Sequence, residues 1–176
     1  MACISKIASA ISFDCDNGFV GFTSALIINK SDITSYSVAA SNGSVTFITL
    51  ADGATAYKVD TVKKTLTTGY TLKQNENAPN GLTHTATITV FNKTLEGRAL
   101  VNALTNASVV LLTLTPDGLC RAWGLFYGMN ATAIEHNSHE NGGYVTVTVA
   151  TPETTLGEMH LAVSRSVYDA LYAAAL

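Results

Sequence analysis

The chain has 176 residues, which suits one domain with a real hydrophobic core and no need of disulfide or metal staples. Apolar residues make up 47%, charged residues 13%, and the formal net charge is −3, which argues against phosphate binding by a clustered basic face. Cys3, Cys15 and Cys120 are odd in number and widely spaced, so a secreted disulfide framework is not expected and reduced thiols in a cytosol fit better.

A soluble domain ordinarily carries about 25% charged residues. A surface this poor in charge is either built from Thr, Ser and Asn or hidden against neighbouring subunits. The start, Met1-Ala-Cys-Ile-Ser-Lys6, does not read as a signal peptide, because Asp14 and Asp16 interrupt any apolar region. No stretch approaches 18 apolar residues, so no membrane span is expected.

Along the chain, Asp14-Cys-Asp-Asn-Gly18 sets oxygen ligands close together before a glycine. It lacks the further ligands of a calcium loop and reads as a polar turn into Phe19–Phe22. Ser44–Leu50 is strand-like, opened by Asn42-Gly43 and closed by Asp52-Gly53. Lys63-Lys64, the one adjacent basic pair, reads as a solvated strand edge. Lys73–Gly81 is a polar, turn-rich loop, and its Asn80-Gly81 opens the next strand.

Thr83–Phe91 then gives the strongest signal. Thr83, Thr85, Thr87 and Thr89 point one way and His84, Ala86, Ile88 and Val90 the other. Threonine, at 24 residues, is the signature of the chain, and its branched Cβ suits a pleated surface. Thr94–Leu104 breaks the pattern. Leu95, Leu100, Val101 and Leu104 fall at helical spacing behind a Thr94 cap, which predicts a helix of about ten residues with an apolar stripe on the sheet.

Two strand-like runs follow, Val109–Thr115 and Leu119–Tyr127, joined by Asp117-Gly118. In the second, Trp123, Leu125 and Tyr127 would share one face, with Phe126 and Gly124 on the other. Glu135–Gly143 is the second polar loop. Tyr144–Ala150 repeats the alternation with Val145, Val147 and Val149. Ser164–Leu176 is Ala-rich and helical, and is expected to dock on its own domain or on a neighbouring subunit. The pattern predicts a mostly β protein: an antiparallel sandwich or barrel with one inserted helix and a short C-terminal helix. It forms a single domain over 1–176, with its core at 13–160 and a helical tail at 161–176.

Chemistry is sparse. Glu135-His136-Asn-Ser-His139-Glu140 resembles a metal cluster only loosely. The glutamates lie outside the histidine pair and the neighbours favour a turn, so His136 and His139 read as solvated, with adventitious metal as the alternative. Pairing Cys15 or Cys120 with His84, His136 or His160 has no local support. His84 falls on an apolar face and reads as a core or interface histidine. No catalytic, cofactor-binding or metal residues are predicted, and the expectation is a protein that is not an enzyme.

The Thr-rich, hairpin-rich, charge-poor pattern with one inserted helix resembles tailed-phage virion proteins, nearest to tail-tube and head-to-tail connector domains. Leu119-Cys-Arg-Ala-Trp-Gly-Leu-Phe-Tyr-Gly-Met-Asn130 and Asn141-Gly-Gly-Tyr-Val-Thr-Val-Thr-Val149 resemble small ring or tail proteins of crAss-like Bacteroides phages. The resemblance covers residues 13–160 and carries no diagnostic signature. It implies a tail-tube-like fold and a virion subunit, assembled in the bacterial cytoplasm into a multi-copy neck or tail ring. Its partners would be copies of itself and adjacent neck or tail proteins, with DNA only passing through the lumen and no membrane. Tail-tube proteins often carry a long docking hairpin, for which Tyr57–Asn80 is the best candidate here. The rivals are a β-sandwich binding module (adhesin or carbohydrate-binding), which would want Trp123 and Tyr127 exposed, and a small metallohydrolase using His136 and His139.

Overall fold

The computed structural model describes residues 21–59, 61, 65–90, 95–136 and 144–176. In order these hold β1 (Ser24–Asn29), β2 (Ile33–Val38), β3 (Ser44–Leu50), β4 (Tyr57–Val59), β5 (Leu66–Lys73) and β6 (Gly81–Val90). Helix α1 (Leu95–Asn106) follows, then β7 (Ser108–Leu114), β8 (Cys120–Trp123), β9 (Met129–His136), β10 (Val145–Ala150), β11 (Leu161–Val163) and α2 (Arg165–Ala174). The protein is mostly β, a large mixed sheet with two helices.

Strand β7 is the spine. Its sequence, Ser-Val-Val-Leu-Leu-Thr-Leu, is a continuous apolar run and not an alternation. β1 lies antiparallel along one edge, with Leu26 opposite Leu112 and Ile28 opposite Val110. On the other edge β8 opposes Leu111–Leu114, while β9 opposes Ser108 and Val109. The sheet therefore forks at β7. One branch runs β8-β11-β3-β2, the other β9-β10-β6-β5, and β4 extends the sheet beyond β1.

The fork creates two cores. Val110, Leu112 and Leu114 join Leu26, Leu161 and Tyr168 of α2 in the first. Val109 and Leu111 join Trp123, Ile88, Val147 and Leu104 of α1 in the second. β7 is thus buried on both faces, which is why its sequence loses period two.

The alternating strands β6 and β10 have one buried face. His84, Ala86, Ile88 and Val90 are buried, as are Val145, Val147 and Val149. Their threonines face outward in register, Thr87 against Thr148 and Thr89 against Thr146, with β5 adding Thr67 and Thr71. The hydroxyls of Thr87 and Thr148 stand 3.4 Å apart. On β6 and β10 this outer face is a row of threonine hydroxyls, flanked by Glu135 of β9 opposite Thr146 and by Lys73 of β5 opposite Gly81.

Turn chemistry holds where positive φ is needed: Gly43, Gly53 and Gly118 all adopt it. Asn80-Gly81 differs, because Gly81 is already the first residue of β6 and is not among the positive-φ glycines.

Five expectations need correction. The sheet is not wholly antiparallel, since β11 runs parallel to β3, with Ala162 opposite Ser44. Tyr57–Asn80 is not one hairpin: β4 pairs with β1, whereas β5 pairs with β6 from Leu66↔Ile88 to Lys73↔Gly81. The strand read over Leu119–Tyr127 stops at Trp123, and a turn bounded by Gly124 and Gly128 follows. The helical tail read from 161 begins instead as β11, an inner strand between β3 and β8. The stripe read on α1 is only partly covered: Leu104 is buried, but Leu95 is 82% and Leu100 47% exposed. Its cap, Thr94, lies outside the described residues.

Helix α2 docks on its own sheet. Tyr168 is buried, with its hydroxyl 2.8 Å from Ser24 Oγ. The Lys58 N–H donates to Leu176 O at 2.8 Å and the Leu176 N–H to Ala56 O at 3.1 Å, so the last residue closes the outer edge of β4. No helix among the described residues is long and apolar enough to cross a membrane.

Candidate functional site

The polar groups buried deepest converge on the turn between β8 and β9. Gly124 and Gly128 bound it at φ +71° and +76°, with the Gly128 N–H donating to Gly124 O at 2.8 Å. Gly128 also packs its Cα against the Ser108 hydroxyl, but it is the positive φ that calls for glycine there.

Glu158 fixes the turn from outside. Its side chain is 1% exposed. The Tyr127 N–H donates to Oε1 at 2.8 Å, and the Phe126 N–H is shared between both oxygens at 3.1 Å. Burial pushes the Glu158 carboxyl above its ordinary pKa, while those amides and Lys30 pull it back down. The Lys30 ammonium donates to Leu125 O at 2.7 Å and sits 5.2 Å from the Tyr36 ring centroid.

Glu158 reaches this position through a close backbone approach. Leu82 and Glu158 exchange hydrogen bonds, N–H to O at 2.9 Å and 2.7 Å. A Cβ on Gly81 would strike the Leu156 carbonyl oxygen, and Gly157 opposite it holds φ +96°. Two glycines let the 156–158 segment lie against β6 and turn the carboxylate inward.

His84 fixes the turn from inside. Its Nδ1 accepts the Gly124 N–H at 3.1 Å, which assigns the ring proton to Nε2. Nε2 is buried without a hydrogen-bond partner among the described residues. The ring meets Trp123 edge-on at 5.3 Å and Tyr70 at 6.4 Å, and Tyr70 in turn meets His160 at 5.5 Å. Trp123 donates from Nε1 to Thr113 Oγ1 at 2.9 Å. Burial, with repulsion from His160 added, pushes His84 down to about 4.

The carboxylate and the imidazole are each committed to backbone amides. They act as hydrogen-bond anchors that hold the turn and present Tyr127, 40% exposed, at its tip. His84 is a core histidine, as its place on the apolar face predicts. Nothing in the sequence pattern singles out Glu158 or Lys30.

The pH consequence carries a definite sign. The folded state favours neutral His84, so its stability is present above about pH 6.5 and is lost as pH falls toward about 4. The loss reaches about 3 kcal/mol. Glu158, raised by burial, works the other way: it gains stability as pH falls into the carboxylate range. Urea melts of the wild type and His84→Gln between pH 7 and 4 separate the two. The variant should lose less stability on acidification by about 3 kcal/mol, and superimposable profiles would clear His84 of the effect.

The remaining candidate residues do not gather. His136 ends β9, exposed, with Nδ1 3.3 Å from Tyr144 O. His139 and Glu140 lie outside the described residues, as do Asp14–Gly18, Cys3, Cys15 and Lys63-Lys64. Among the described residues no group of three His, Cys, Asp or Glu is placed to hold a metal ion. Cys120 is buried in the first core, and burial pushes its thiol up. Trp123, which a carbohydrate-binding platform would want exposed, is 4% exposed and lies in the second core.

No protein-family model, curated protein or solved structure matches the chain.

Proposed function

We propose that the chain is a structural subunit of a tailed-phage virion, assembling into a multi-copy ring of the neck or tail around the DNA channel. The observation that carries this reading is the state of its sheet edges. Among the described residues β2 and β5 stand at the two ends of the strand path, each paired on one side only. The outer edge of β4 is closed by Leu176.

An open edge offers a row of backbone donors and acceptors to another chain, and proteins that stay single blunt it with proline, charge, a bulge or a covering segment. β2 has register shifts at Ile33/Ser35 and Ser37/Val38, whereas β5 pairs with β6 in continuous register. Neither β2 nor β5 contains proline, and Lys73 is the only charged residue in the two. The Lys73 ammonium is itself engaged by the Glu153 carbonyl. Joining β2 of one copy to β5 of the next is a head-to-tail contact, which generates a ring when its rotation closes. The threonine face of β6 and β10, and the resemblance read in the sequence of residues 13–160 to ring and tail proteins, support the same reading. Adjacent neck or tail proteins are the further partners.

A glycan-binding or adhesive module is the second reading. Exposed Tyr127 favours it, and burial of Trp123 leaves it without the larger ring of its platform.

Light scattering followed by negative-stain imaging tests the proposal. The expected result is a discrete large species seen as rings. Thr67→Lys with Thr71→Lys, both exposed on β5, should dissolve it to folded monomers. A chain that stays monomeric at high concentration, and joins no ring when mixed with neighbouring virion proteins, overturns the reading.

A further inference from the structure

Two Asn-Gly pairs fall among the described residues, Asn42-Gly43 and Asn80-Gly81. Such a pair can react with itself. The glycine amide nitrogen, once it has given its proton to solvent base, attacks the asparagine Cγ. A C–N bond forms, the bond from Cγ to the side-chain nitrogen breaks, and ammonia leaves. Water then opens the cyclic imide at either carbonyl, giving isoaspartate or aspartate. The net change is one water taken up and one ammonia lost, with nothing oxidised or reduced. Glycine favours the attack because no Cβ crowds the nitrogen.

Both asparagines are exposed, so access of water does not separate them. What separates them is the freedom of the attacking nitrogen, which must come within about 3–3.5 Å of Cγ in the right direction. Gly43 lies in the turn between β2 and β3, at φ +65°. A Cβ built on it would meet only His160 O, at 3.9 Å, so there is room around it. Its N–H donates to Ala39 O at 3.0 Å, a bond that closes the turn alone. The β2–β3 ladder, joined next to the turn by Ala39 N–H to Ser44 O at 2.8 Å, stands without it. Asn42 Oδ1 accepts the Ser44 N–H at 3.1 Å, which draws electrons from Cγ and makes it the better target.

Gly81 is held on both sides. It is the first residue of β6, opposite Lys73 of β5, and it lies so close to the Leu156 carbonyl and Gly157 that no Cβ would fit. Asn80 Oδ1 accepts the Asn75 N–H at 3.1 Å, which ties its side chain to the loop before β6. To reach Cγ the Gly81 nitrogen would have to leave both β5 and the 156–158 segment. A reaction that waits for local unfolding is slowed by the cost of that unfolding.

We propose that Asn42 is a site of spontaneous modification, passing through a cyclic imide to isoaspartate and aspartate, while the fold protects Asn80 in the same dipeptide. Each event adds a negative charge to the turn that leaves edge strand β2, and isoaspartate also lengthens its backbone by a methylene. This does not depend on ring assembly, and either reading can fail alone.

Incubation of the full chain in mildly alkaline buffer made with isotopically labelled water, followed by peptide mapping in a mass spectrometer, tests it. In the folded chain label should enter Asn42 at least about tenfold faster than Asn80. In guanidinium chloride the two should react at similar rates, because the difference lies in the fold. The proposal is overturned if Asn42 of the folded chain stays an amide, or if Asn80 keeps pace with it there. It is equally overturned if the gap between the two persists in the unfolded chain.

Discussion

Leu111→Ala and Leu112→Ala will each destabilise the protein by about 3–5 kcal/mol, although the two residues are adjacent and point in opposite directions. In an ordinary amphipathic strand one of such a pair faces water and its loss costs little. Here both are fully buried. Leu112 lies opposite Leu26 and Ala122, in the core roofed by α2. Leu111 lies opposite Ile27 and Trp123, in the core that β6 and β10 complete. Each truncation opens a cavity that the strand cannot collapse, because pairing on both edges holds its backbone. Thr146→Ala, on the hydroxyl face of β10, is the control and should cost less than about 1 kcal/mol. Urea denaturation measures all three. A cost below about 1 kcal/mol for either leucine would mean that its side of β7 is not a packed core.

Glu158→Leu should cost about 3–5 kcal/mol, with Glu158→Gln intermediate. Leucine leaves the Phe126 and Tyr127 amides without an acceptor and Lys30 without its nearby countercharge. Glutamine keeps one carbonyl oxygen for the amides. The order of the three proteins in thermal melts is the test. A leucine variant as stable as the wild type would show that the turn holds without the carboxylate.

Much of this architecture can be read from local pattern, and the exceptions have physical causes. β6 and β10 alternate because each has one buried face, and period two reports that directly. Asn42-Gly43 and Asp117-Gly118 mark turns because glycine supplies positive φ there. β7 is legible as a strand but not as the shared one, since an apolar run does not say what covers each face. The Tyr57–Asn80 segment misleads because its two strands pair with β1 and β6, and not with each other. On α1 the spacing of Leu95 and Leu100 is truly helical, yet spacing cannot tell a covered stripe from one left open.

The anchored turn is the least legible feature. Glu158 is 32 residues from Phe126, and what brings it there is a glycine meeting a glycine, Gly81 against Gly157. A glycine in sequence announces freedom of the backbone, not the identity of the chain that will approach it. Nothing near Glu158 resembles a site, because its partners are main-chain amides that every residue but proline possesses.

The forked sheet bears on how the molecule comes apart. A sandwich whose layers meet only through side chains can open like a book, one leaf melting before the other. Here both leaves are hydrogen-bonded to the same seven-residue strand, so neither can leave without tearing β7 from a neighbour. Among the described residues every strand from β2 to β5 is hydrogen-bonded to the next through β7, so a pull on one edge of the sheet is carried to the opposite edge through main-chain hydrogen bonds.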